Sequence, residues 1–156
     1  MGESSIKAEI QFESYKIDRV DFSVTQEFDV LSSKNHSDCE VKYTFGFRNA
    51  QKLQNGDKLV YITGLQVNIS VTSKKTEKEL AKGVFVATGL FSANIGIQDD
   101  LEKSLVTCQG PAILFPYVRA AITLTLSTAG FSTMVMPLVN VYEMAKNNPV
   151  EIENIN

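Results

Sequence analysis

Any nucleophile or metal site in this chain would have to be built from His36, the one histidine in 156 residues, and from two cysteines, Cys39 and Cys108. A Ser–His or Cys–His pair must pass its proton through a histidine, and nothing in the polar stretch around His36 suggests an orienting partner. A structural zinc site needs three or four clustered cysteine or histidine ligands, and these three residues are the whole stock. The cysteines form no C-x-x-C and read as free thiols in a reducing compartment. Asp99-Asp100 could supply an acid–base pair, but the pair precedes a helical pattern, where capping accounts for its charge. No phosphate-cradling glycine loop, dinucleotide fingerprint or nucleophile elbow is present. These residues predict no enzyme, no cofactor and no metal.

Bulk properties narrow the class further. With 44% hydrophobic and 21% charged residues the chain is an ordinary globular domain, large enough to bury a core. Its net charge of −3, with dispersed basic residues, gives no reason to expect nucleic acid as a partner. The start, MGESSIKAEIQFES, lacks the basic and apolar regions of a signal peptide. The most apolar stretch, Ala112–Val141, is broken by Pro116, Arg119, Pro137 and several hydroxyl residues, so no bilayer span is expected. The expected location is the cytoplasm.

Hydrophobic periodicity then supplies the elements. Ile6, Ala8, Ile10 and Phe12 alternate, slip phase to Tyr15 and Ile17, and resume at Val20, Phe22 and Val24; this predicts a strand with a bulge near Glu13-Ser14. Thr25–Asp38 reads as a long loop. Cys39–Arg48 places Val41, Tyr43, Phe45 and Phe47 on one strand face, and Asn49–Asp57 reads as turn. Lys58–Ser73 and Glu79–Ile95 complete four antiparallel strands. From Asp99 the pattern becomes helical: a short helix ended by Gly110, then a long one carrying Phe115, Val118, Ile122 and Leu126, stopped at Gly130. Periodicity alone leaves Ile122–Thr128 between helix and strand, because the segment also alternates and is β-branched. A second helix is expected over Leu138–Asn147. Strands followed by helices make an α+β fold: one domain over residues 1–147, with 148–156 a polar, frayed tail.

What stands out is apolar content rather than chemistry. Phe131, Met134, Val135, Met136, Leu138, Val139, Tyr142 and Met144 crowd into fourteen positions. Methionine is flexible and polarizable, suiting surfaces that accept varied partners. The cluster is expected to divide between core and groove.

The signature lies in Ile113-Leu114-Phe115-Pro116-Tyr117, then Arg119, Ile122-Thr123, Gly130-Phe131 and Leu138-Val139-Asn140. With Gly89-Leu90-Phe91-Ser92 and Glu40-Val41-Lys42 upstream, this ordered set resembles the SecB family of preprotein chaperones. The resemblance implies a four-stranded antiparallel sheet packed with one long and one short C-terminal helix, and a dimer of dimers joined through the long helices. That interface would use Tyr117, Arg119, Ile122 and Leu126. It also implies apolar grooves for unfolded or nascent polypeptide, mapped here to Phe28, Leu31, Val41, Tyr43, Met136, Val139, Tyr142 and Met144. Such a holdase consumes no nucleotide and needs no cofactor.

The chain departs from the family pattern where the SecA motor would dock. The positions that match the acidic docking residues are Arg19, or in another alignment Ser23, and Val84; none is acidic. Ala120 replaces the usual glutamate after the helix arginine. The resemblance therefore supports a cytoplasmic holdase while arguing against SecA docking, and leaves a chaperone dedicated to one partner, such as an antitoxin, as the alternative. A small-ligand protein using the same groove is the third reading.

Overall fold

The computed structural model describes residues 10–28, 39–131 and 139–155. The strands are β1 (Ile10–Val24), β2 (Cys39–Phe47), β3 (Ala50–Asn55), β4 (Lys58–Ser73), β5 (Glu79–Asn94) and β6 (Ile152–Asn154). The helices are α1 (Asp99–Ser104), a π-helical turn (Leu105–Gln109), α2 (Gly110–Thr128) and α3 (Val141–Lys146). The fold is α+β as expected, but the sheet has six strands rather than four. Its order is β1-β5-β4-β3-β6, with β2 also paired to β4.

The added strands correct two expectations. β4 is sixteen residues long, so one edge of it accommodates β2 opposite Leu65–Ser73 and β3 opposite Lys58–Ile62. The turn chemistry confines itself to Asn55-Gly56-Asp57, where Gly56 takes a φ of 65°. The stretch 50–55, polar except for Ala50 and Leu53, forms a strand because β4 offers it a hydrogen-bonding edge. The tail is not frayed: Ile152–Asn154 pairs in parallel with Ala50–Lys52.

One face of the sheet carries the helices. Along β4 the odd-numbered residues from Leu59 to Val71 are buried, opposite Ala93, Phe91, Gly89, Ala87, Phe85, Gly83 and Ala81 of β5. β1 keeps its apolar residues on that face through two register shifts, one between Phe12 and Ser14 and one between Ile17 and Arg19. The phase slips in the sequence are these shifts, each resetting the two-residue period so that the next apolar set still faces inward.

Gly110 does not end a helix. The helical path runs unbroken from Asp99 to Thr128, passing through the π turn. A Cβ on Gly110 would sit 3.0 Å from the Thr63 hydroxyl, so glycine serves close approach of helix to sheet. Pro111 occupies the first turn of α2 and Pro116 its interior. The ambiguous Ile122–Thr128 segment is helical. Ile122 and Leu126, four apart, bury on one side, while Thr125 and Thr128 donate their hydroxyls to the carbonyls of Ala121 and Leu124 at 2.8 Å. Gly130, at φ 107°, terminates the path. This helix is long and apolar enough to cross a bilayer, yet half of its most apolar window is buried inside the protein.

Two clusters fill the interface. The larger joins Leu65, Val67, Ile69 and Phe85 to Leu114, Phe115, Val118, Ile122, Leu126, Phe131 and Val141. The smaller gathers Tyr61, Phe91, Leu105 and Val106, with Ile152 of the tail against it.

Candidate functional site

β2 carries an aromatic row on its helix-facing side: Tyr43, Phe45 and Phe47, whose successive ring centroids stand 6.1 and 6.5 Å apart. Phe45 meets Phe115 of α2 at 5.6 Å with the rings tilted by 59°. Along the flank of α2 that begins at Phe115 runs an open apolar trough of about 620 Å3, lined by Phe115, Pro116, Arg119, Ala120, Thr123, Leu124 and Ser127. Leu124 is 70% exposed, an unusual setting for a leucine in mid-helix. Among the described residues β2 pairs only with β4, so its other edge has no strand partner among them. Burial pushes the Tyr43 phenol pKa up, and the Arg119 charge opposes that shift. The Tyr43 hydroxyl is buried and has no hydrogen-bond partner among the described residues.

The mapped groove residues divide. Phe28, Val41, Tyr43 and Val139 all pack, half-buried, against the larger core cluster. Phe28 meets Phe131 at 4.4 Å with the rings tilted by 39° and lies over Gly130, where an added Cβ would come within 3.7 Å of its ring. Tyr142, 41% exposed, stands apart on a second trough of about 650 Å3 with Cys108, Lys146 and Ile152. Met144 is half-buried on α3. Leu31, Met136 and His36 lie outside the described residues.

The four interface residues separate as well, and two need correction. Ile122 and Leu126, 0% and 1% exposed, are consumed by the protomer's own core and leave nothing for a partner to touch. Arg119 lines the trough. Tyr117, 37% exposed, stacks on Tyr15 of β1 at 4.0 Å. The outward stripe of α2 is instead Ile113, Tyr117, Ala120 and Leu124, at helical spacing that a reading of the inward periodicity overlooked.

α3 is short and depends on its cap. Asn140 accepts a hydrogen bond from the Glu143 backbone N–H at 3.1 Å, which gives a physical reason for the asparagine in Leu138-Val139-Asn140. On the helix-free sheet face, Arg19 pairs with Asp21 at 2.8 Å, and Asp21 lies opposite Val84 in the register. Burial pushes the Cys108 thiol up, the Lys146 charge opposes that shift and the Glu143 charge adds to it. Among the described residues no three potential ligands gather to hold a metal.

A six-stranded sheet backed by one long helix, with an apolar trough beside an open strand edge, defines an α+β scaffold built around surface rather than reactive groups. Residues 5–149 match the family described as preprotein translocase subunit SecB. The chain belongs to the SecB family. A protein-export protein SecB from Alkalilimnicola ehrlichii is 33% identical over 88 residues, 56% of this chain. That match spans 44% of the relative's own length. The structure superposes on the Mycobacterium tuberculosis SecB-like chaperone, solved in complex with a ChAD peptide from the HigA1 antitoxin. The TM-score is 0.65 at 10% identity, covering 84% of this chain and 91% of that one.

Proposed function

We propose that this protein is an ATP-independent holdase of the cytoplasm that binds unfolded polypeptide along the trough on the flank of α2. The observation that carries the reading is the open apolar trough, with Leu124 exposed, and a β2 edge without a strand partner among the described residues. Apolar side chains of a client gain by leaving water in such a trough, and its backbone can pair with the free edge. Neither interaction selects a sequence, and neither needs a cofactor or a catalytic group. Phe28, Val41, Tyr43, Val139 and Met144 extend the binding surface, Leu31 and Met136 belong to it from outside the described residues, and Tyr142 adds the second trough. Two protomers pair, and pairs pair again, through Ile113 and Tyr117 of α2 together with Tyr15, which repeats weak contacts and raises avidity. The reading is tested by light scattering of a urea-unfolded client diluted with and without equimolar protein. Suppressed aggregation, together with a mass near four times 17.2 kDa by size-exclusion with light scattering, is the expected result. Unchanged aggregation sinks the reading.

A second reading has its own support: a chaperone dedicated to one partner. On the helix-free sheet face, where export chaperones dock their motor, the positions matching the acidic docking residues are Arg19, paired with Asp21, and Val84. The structural relative holds an antitoxin peptide. A pull-down dominated by one protein favours this reading, and a spread of unrelated nascent chains counts against it.

A further inference from the structure

The tail holds the β3 edge as a ligand would. Ala50 donates its N–H to the Glu151 carbonyl at 2.9 Å, and Ile155 donates to the Lys52 carbonyl at 2.8 Å. Glu151 N–H reaches the Asn49 side-chain oxygen at 3.0 Å, and the Asn49 amide meets the Glu153 carboxylate at 3.4 Å. Among the described tail residues, Ile152 packs against the cluster of Ala50, Leu59, Tyr61, Phe91, Leu105 and Val106, while Val150 and Ile155 are half-buried. Glu151, Glu153 and Asn154 are exposed. Recognition thus rests on main-chain bonds and one apolar anchor, the chemistry of strand addition. The second trough, about 650 Å3, is lined by Lys103, Thr107, Cys108, Tyr142 and Lys146 together with Val150, Glu151 and Ile152 of the tail itself.

We propose that the outer edge of β3 is a second polypeptide-binding site, which accepts an extended, parallel-running segment with a β-branched anchor flanked by acidic residues, and that residues 150–155 occupy it in cis. The stretch between the end of α3 at Lys146 and the start of β6 at Ile152 is five residues. A tether this short holds the tail at an effective concentration in the millimolar range. A segment in trans at micromolar concentration therefore enters only when the anchor is weakened.

The proposal builds on the polypeptide-binding reading, but its test needs no unfolded client, so aggregation assays and this test fail separately. A fluorescein-labelled peptide of residues 148–155 is titrated into the full chain and into its Ile152→Asp variant, followed by anisotropy. The variant should bind at least tenfold more tightly than the unaltered chain, and a peptide with aspartate at the anchor should not bind. Equal binding to both proteins, or to neither, overturns the proposal. So does a variant that takes up no peptide but dimerises by light scattering, which would indicate strand exchange between copies. Amide exchange on the unaltered chain keeps the test open should the variant fail to fold. The Ala50 N–H should exchange at least tenfold faster than the amides bonding β4 to β5, because the tail detaches without global unfolding. Exchange of Ala50 at the global rate overturns the proposal.

Discussion

Glu102 shows how single residues lock the helix to the sheet. Its carboxylate accepts hydrogen bonds from Tyr61 and, at 2.7 Å, from Lys52. Burial works to raise it, but the hydrogen bonds from Lys52 and Tyr61 and the lysine charge together outweigh burial and hold it below the ordinary carboxylate range. The folded pKa therefore lies below the unfolded one. The stabilisation is present above the unfolded value of about 4.3 and is lost as pH falls through the folded value. Glu102→Gln is expected to cost about 1–3 kcal/mol at pH 7, and urea midpoints should converge with the unaltered chain as pH drops below about 4. Gly89 makes a steric counterpart. A Cβ there would meet Leu114 Cδ2 and Phe91 Cε2 at 2.8 Å. Gly89→Val should lower stability by about 1–3 kcal/mol through overpacking, and adding Leu114→Ala should recover part of that loss in thermal melts.

At the scale of elements, α3 is too short to persist on propensity, so its cap decides. Asn140→Ala is expected to cost about 1 kcal/mol and to raise amide exchange across Val141–Lys146 first. The elements differ in how visible they were in the sequence. β1, β2, β4 and β5 were legible because each presents one apolar face to the helices, and even the bulges of β1 appeared as phase slips. The β3 and β6 strands were not. β3 has two apolar residues and β6 one, and both form because a neighbouring edge has unpaired backbone groups, which no local pattern records. Gly110 was misread for a related reason: its role is contact with Thr63, forty-seven positions earlier in the chain. Of the mapped client-binding residues, Phe28, Val41, Tyr43 and Val139 came from the family resemblance, and all four pack against the larger core cluster. The exposed stripe of Ile113 and Leu124 was missed, because attention to the buried period of α2 assigned its interface to Ile122 and Leu126.

At the scale of the whole molecule, one helix serves two surfaces. Its inward side closes the core, and its outward side leaves apolar area uncovered between β2 and β1. A protein that kept such area exposed without use would carry an aggregation hazard, so the arrangement points to transient partners of low sequence preference. The most direct measurement is site-specific photo-cross-linking. A photoreactive phenylalanine analogue is placed at Thr123, on the trough, and separately at Lys82, on the helix-free face of the sheet, and each protein is irradiated with an unfolded client. Capture of client from Thr123, with little or none from Lys82, is the predicted result. Capture from Lys82 equal to or above that from Thr123 would contradict the assignment of the trough as the client-binding surface.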